Sequence, residues 1–238
     1  MCYNNQAGDI YWKNRGFALA KSYQSIRHEV EIVLEERKSL FYGYASPVTD
    51  ETSARDILDQ RREVYPSANH HCSAWILGGR DPEHQVSRYS DDGEPSGTAG
   101  QPILSVLKGQ DLTDVIVVVS RIFGGTLLGR GGLVSAYSGA AVQAIEAAGR
   151  VSYHPARKYL VELEYQDYER VQTRLRESGA VISDITYSDV CRMSVTVQEK
   201  DEDAFMKLVL DLTSGRSRPV RDLQSWIALE QPLTDKGD

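Results

Sequence analysis

The sequence predicts an α+β chain of two successive folded units, and three observations predict it. A continuous β-branched run, Val115-Ile116-Val117-Val118-Val119, is the mark of a strand covered on both faces. Two glycine-rich loops, residues 90–102 and 121–132, each run into an apolar helical pattern. Beyond about Lys158 the order becomes strand, helix, strand, strand, helix, strand, which is the ferredoxin-like plan.

Residues 1–20 carry little periodicity and are expected to form a loosely attached extension, with order beginning near Arg27. From His28 to Leu34 and from Leu40 to Ala45, alternating and apolar residues flank the charged pair Arg37-Lys38. This predicts two antiparallel strands joined by a tight turn. Thr49-Asp50 offers a helix cap, after which Ala54, Ile57, Leu58, Arg61 and Val64 recur at helical spacing until Pro66. Residues 72–79 read as a strand. Thr98-Ala99-Gly100-Gln101 has capping-box spacing, and Pro102 serves equally as the first residue of a helix beginning at Gln101. Either way a short helix carries Ile103, Leu104 and Leu107 up to Gly109. After the second glycine loop, Leu133, Tyr137, Ala140, Ala141, Ala144 and Ala148 share one helical face that Gly149 ends.

Residues 151–157, with Pro155, are expected to be a short linker. They divide a first unit, residues 21–150, from a second, residues 151–238. In the second, strands are predicted over 159–165, 180–187, 190–197 and 221–230, with helices over 167–178 and 202–212.

With 238 residues and 41% hydrophobic residues the chain can bury a sizeable core. Its 27 basic and 34 acidic residues leave a formal charge of −7, which argues against a wholly electrostatic nucleic-acid binder. Cys2, Cys72 and Cys191 are far apart and lack the paired spacing of a structural zinc site, so no metal and no tight cofactor is expected. The odd cysteine count and the absence of an apolar span or signal-peptide core point to a reducing cytoplasm and no membrane.

Three motifs invite chemistry. His70-His71-Cys72 looks like a metal or nucleophile cluster, yet on a strand His70 and Cys72 face one side and His71 the other. A buried histidine pair at a sheet edge is the competing reading. Asp91, Asp92 and Glu94 supply three carboxylates for a magnesium-assisted or general-acid role, whereas Asp92-Gly93 is also a common turn pair. The loop with Gly124, Gly125, Gly129, Gly131 and Gly132 matches neither the phosphate-binding P-loop nor the dinucleotide fingerprint. Arg121 and Arg130 would flank an anion held there by backbone amides at the following helix start; the competing reading is a tight strand-to-helix return.

Taken in order, His70-His71-Cys72-Ser73-Ala74-Trp75, the stretch from Ser90 through Asp91-Asp92-Gly93-Glu94 to Pro102, Arg121-Ile122-Phe123-Gly124-Gly125 and Leu128-Gly129-Arg130-Gly131-Gly132-Leu133-Val134-Ser135-Ala136-Tyr137 resemble the YigZ/IMPACT family. The resemblance spans about residues 20–148, and the tail looks like the second domain of bacterial members. It implies a first domain similar to domain IV of elongation factor G and to a small-subunit ribosomal protein domain. The second would be similar to domain V of that factor. Eukaryotic relatives regulate translation initiation through an additional N-terminal domain for which this chain has no room.

The expectation is therefore a cytoplasmic translation-associated regulator, leaning away from enzyme. It would contact RNA, the ribosome or a translation-related protein through the glycine-loop face. The alternative is a hydrolase or phosphate-ligand enzyme using Asp91, Asp92, Glu94, His70 and His71.

Overall fold

The computed structural model describes residues 21–230, so the expected extension over residues 1–20 lies outside the described residues. Among the described residues the chain runs β1 (Tyr23–Ile26), β2 (Val30–Glu36), β3 (Ser39–Pro47), α1 (Glu51–Val64), β4 (His70–Leu77), β5 (Val86–Ser90), α2 (Gly100–Gly109), β6 (Val115–Ile122) and α3 (Gly129–Ala148). It continues through β7 (Arg150–Leu163), α4 (Tyr165–Glu177), β8 (Val181–Tyr187), β9 (Cys191–Gln198), α5 (Glu202–Leu212) and β10 (Val220–Glu230). This is a mixed α/β architecture with two antiparallel sheets.

The first sheet has the order β2-β3-β6-β4-β5, and β6 lies at its centre. Central placement explains the unbroken apolar run, because Val115 through Val119 are all fully buried. Val115, Val117 and Val119 face the core under α2 and α3, while Ile116 and Val118 face a second cluster with Ala54 of α1, Trp75 and Leu77. The strand is therefore covered on both faces, as its composition predicts. Each buried valine contributes roughly 1.5–2 kcal/mol of apolar transfer.

Local chemistry sets the helix ends. Asp50 caps α1 by accepting from the Ser53 amide at 2.8 Å, and Ser53 Oγ accepts from the Asp50 amide at 3.3 Å. That reciprocal pair satisfies two orphan donors. On α3 the predicted apolar face is buried in full, from Leu133 and Tyr137 through Ala140, Ala141 and Ala144 to Ala148. Small side chains there bring the helix close to β2 and β3.

The second sheet has five strands, in the order β1-β7-β9-β8 with β10 also paired to β7, and α4 and α5 cover one face through Val171, Leu175, Phe205 and Val209. Its elements follow the strand–helix–strand–strand–helix–strand order that the alternation predicts. Two expectations need correction. The stretch 151–157 is not a linker, because it is the first half of the fourteen-residue β7. Along this half β7 pairs with β10 and also with β1, in register from Tyr23 opposite Tyr153 to Ile26 opposite Arg150. Pro155 has no N–H to give, and it sits where the β1 pairing has ended at Tyr153 and the β9 pairing begins at Ala156.

Order also begins before Arg27. The four residues of β1 pair with the second sheet, yet Ile26 is buried in the first core, and Gln24 O accepts from the Thr113 amide at 2.9 Å. This strand ties the two units together.

Arg150, Arg157 and Lys158 lie within β7, whose backbone is paired along its length. Limited trypsin digestion of the native protein should leave these three sites intact until the fold unfolds. Early cleavage after Arg157, read by mass spectrometry, would contradict a continuous β7.

Candidate functional site

Both glycine loops lie at one end of the first sheet, where β4 begins and β6 ends, and both lead into helices packed on the same face. The sequence raises the possibility that an external anion sits at such a helix start. At α2 the chain fills that position itself. Asp91 Oδ1 accepts from the amides of Ala99 and Gly100 at 3.1 and 2.8 Å, and Oδ2 accepts from Gly97 at 2.8 Å. One carboxylate thus satisfies three donors at the positive end of α2. The capping box expected from Thr98 does not form, since Thr98 Oγ1 donates to the carbonyl of Pro95 instead. Gly100 is required for close approach, because a Cβ there would lie 2.5 Å from the Ser90 carbonyl oxygen.

The neighbouring carboxylates are equally engaged. Asp92 and Gly93 both take positive φ, 43° and 88°, as a tight turn demands. Asp92 Oδ2 accepts from the His71 amide at 2.7 Å, and Oδ1 lies 3.5 Å from Arg62. Glu94 is 7% exposed, and its Oε1 accepts from Arg121 at 2.6 Å and from the Tyr137 hydroxyl at 2.8 Å. Arg121 is itself buried, between Ser39 and the rings of Phe41 and Phe123. Its expected role as a surface flank for an anion is corrected on this ground: the guanidinium is spent on an internal carboxylate.

His70 and Cys72 share one face of β4, and His71 the other, as strand alternation requires. The carbonyl of Asp92 can only accept, so its 2.8 Å contact to His70 Nδ1 places the proton on that nitrogen and leaves Nε2 facing Glu94 at 3.9 Å. Cys72 donates to the Asp91 carbonyl, and burial, with the nearby carboxylates adding, pushes its thiol well above the usual range. Burial pushes the Tyr137 hydroxyl up as well, with Cys72 and Glu94 adding to it. A protonated, buried thiol is a poor nucleophile. On the far face His71 Nδ1 meets Ser120 Oγ at 2.8 Å, and burial lowers its pKa against a smaller opposing pull from Asp92. Among the described residues no cluster of three or more His, Cys, Asp or Glu groups is placed to hold a metal ion.

The second loop is more open. Gly124 touches the β2–β3 turn so closely that a Cβ would lie 2.0 Å from the Lys38 carbonyl carbon, and its amide donates to Ser39 Oγ at 3.1 Å. Gly125 and Gly129 take positive φ of 85° and 73°, and a Cβ on Gly125, Gly129 or Gly131 would meet open space. Gly132 packs on Leu128. No side chain caps the start of α3. Arg130 donates to the Ser96 carbonyl at 2.9 Å, which links the two loops. Around them Leu127 is 82% and Phe123 42% exposed.

Ser39, Tyr137 and Asn69, whose side chain accepts from the Phe123 amide, complete the arrangement without having been singled out as site residues. Ser39 and Asn69 carry no signal in the sequence beyond their polar atoms, whereas Tyr137 closes the motif that carries the family resemblance and lies on the apolar face of its helix.

Comparison with known proteins places the chain in a family. Residues 37–145 match the profile described as the Impact N-terminal domain, and residues 161–216 match the one described as Domain of unknown function (DUF1949). The chain is 36% identical to the IMPACT family member YvyE of Bacillus subtilis (strain 168), over 82% of this chain and 89% of that one. The chain belongs to the IMPACT family. It is also 32% identical to the IMPACT family member YigZ of Escherichia coli (strain K12), over 78% of this chain and 91% of that protein. A crystal structure titled as that of an hypothetical protein is 30% identical and covers 86% of this IMPACT-family chain and 99% of its own, with a TM-score of 0.56. Both glycine loops fall inside the matched Impact N-terminal domain.

Removing the internal cap should be costly. Asp91→Ala leaves three amides at the start of α2 without their acceptor and should lower unfolding free energy by about 2 kcal/mol, with Asp91→Asn losing less. Urea denaturation measures both, and an unchanged midpoint for Asp91→Ala would show that water replaces the carboxylate without loss.

His71 supplies a pH dependence of known sign. Its folded pKa lies below the unfolded value of about 6.5, so the unfolded chain binds the proton more readily. Its contribution is fully present above pH about 6.5 and is lost as pH falls through the lower folded value. His71→Gln should flatten that part of the stability profile, which urea titrations between pH about 5 and 7.5 record.

Proposed function

We propose that this IMPACT-family chain is a cytoplasmic, non-enzymatic regulator that acts on the translation apparatus. It docks through the glycine-loop end of its first unit on RNA, the ribosome or a translation-related protein. The observation that carries this reading is the contrast within that end. Every carboxylate that invites catalysis is already bound: Asp91 to three amides, Asp92 to His71 and Arg62, and Glu94 to Arg121 and Tyr137. The hydrolase reading asks for a free acid or base beside a substrate. The second loop, by contrast, presents Leu127, Phe123 and Arg130 to solvent from a rigidly anchored base. Exposed large apolar groups on an ordered frame are what a binding surface offers. The same reading includes the likeness to domains IV and V of elongation factor G that the family resemblance implies, and with it a ribosomal setting.

Leu127 makes no internal contribution that its exposure would not survive, so Leu127→Asp tests docking without touching the core. The wild-type chain should co-sediment with ribosomal particles in a sucrose gradient, and Leu127→Asp should weaken this by about tenfold while the circular dichroism spectrum stays the same. Failure of the wild type to co-sediment with any particle, or equal sedimentation of the variant, would remove the reading.

A further inference from the structure

The turn between β2 and β3 is built at a disadvantage. Its two central residues, Arg37 and Lys38, take φ of 47° and 66°, where a side chain is strained and Asn-Gly is the favoured pair. The positions are filled by two solvent-exposed cations instead. Glu36 reaches Arg37 only at 3.9 Å, and among the described residues Lys38 has no carboxylate partner. This turn is not a loose tip. The second glycine loop is pressed against the Lys38 carbonyl at Gly124, and Ser39 Oγ takes the Gly124 amide while Arg121 approaches the same hydroxyl at 3.4 Å.

The next residue along that loop end is Phe123. Its backbone is held by Asn69 at 2.9 Å, and the buried Arg121 guanidinium lies 5.5 Å from its ring centre. The ring is therefore fixed from beneath and 42% exposed above. A fixed, exposed ring costs little ordering entropy when a flat partner stacks on it. Two cations on a rigid turn stand on one side of this loop, and Arg130, whose partner is a neutral carbonyl, stands along it. An aromatic ring and solvent-exposed cations together are the elements of single-strand recognition: bases stack, and phosphates meet ammonium and guanidinium groups.

We infer that the docking partner at this end is single-stranded RNA, with Phe123 as the stacking residue and Arg37, Lys38 and Arg130 as phosphate contacts. The inference rests on the reading that this end of the molecule docks on the translation apparatus. A duplex is excluded as the preferred form because a stacked base pair does not present its face to Phe123. With a formal charge of −7 the chain repels RNA at long range, so few phosphates are engaged and the salt dependence is shallow.

The test uses the full chain and a fluorescent uridine 12-mer, read by anisotropy across a salt series. Arg37→Asn with Lys38→Gly removes both charges and installs the pair that the turn geometry prefers, so loss of binding cannot be laid to loss of fold. This double variant should bind about tenfold more weakly, and its log–log salt slope should flatten by about 1.4, two contacts at roughly 0.7 each. Phe123→Leu should weaken binding about tenfold without changing the slope, and Phe123→Trp should retain it. The wild type should prefer the single strand to a duplex of equal length. Parent-like binding by the turn variant and by Phe123→Leu, or equal affinity for the duplex, overturns the inference. If the chain co-sediments with ribosomal particles and Leu127→Asp weakens this while no 12-mer is bound, the RNA assignment falls and the docking reading stands. If neither particles nor RNA are bound, both fall.

Discussion

The first unit depends on an ion pair placed where an apolar core would ordinarily continue. Glu94 and Arg121 meet at 2.6 Å with both side chains almost wholly buried. Taking two charges out of water costs several kcal/mol, and attraction repays this only when the remaining polar atoms are served. Here that service is partial: Tyr137 donates to the same carboxylate oxygen, Ser39 approaches the guanidinium and the rings of Phe41 and Phe123 lie against it, while the buried Arg121 Nε has no hydrogen-bond partner among the described residues. The pair joins the loop before α2 to the end of β6, and through Tyr137 it reaches the core of α3. Removing either partner would strand a buried charge, so the first glycine loop, β6 and α3 are held as one body.

That constraint explains why the two loops, both rich in glycine, are put to different uses. In the first the glycines let the backbone close around Asp91, and the anion that a helix start attracts is supplied by the chain. The second has no acidic residue in the first turn of α3 and no side-chain cap, and it carries its apolar groups outward. A loop that is closed on itself serves as foundation. The open one built upon it is free to meet a partner.

Much of this fold is legible in the sequence where burial is one-dimensional. The run Val115 to Val119 declares a central strand, Asp50 with Ser53 declares a helix start, and the alanine face of α3 declares close packing on a sheet. What stays hidden depends on partners far away in the chain. Tyr23-Gln24-Ser25-Ile26 is too short to show a period, and it becomes a strand only because β7 offers an edge far along the chain, with Tyr23 opposite Tyr153 and Ile26 opposite Arg150. Pro155 reads as a linker signal, yet its missing N–H falls at the changeover from one pairing strand to the next. The short strand β5 lies at the sheet edge, where few residues need be apolar.

The site shows the same limit in sharper form. Sequence alone brings Arg121, Arg130, Asp91, Asp92 and Glu94 to notice as charged residues in glycine-rich surroundings, and charge next to glycine is equally the mark of a ligand site and of an internal cap. Only depth separates the two. Arg121 lies in a strand whose alternate residues, Val115, Val117 and Val119, point into the core, so the same period that buries the valines buries the arginine. A buried guanidinium must find a carboxylate, and Glu94 is the one that the turn at Asp92 and Gly93 delivers. Strand period, applied to a charged residue as strictly as to an apolar one, would have assigned Arg121 to the interior and left the exposed Phe123, two positions on from it, as the residue to explain.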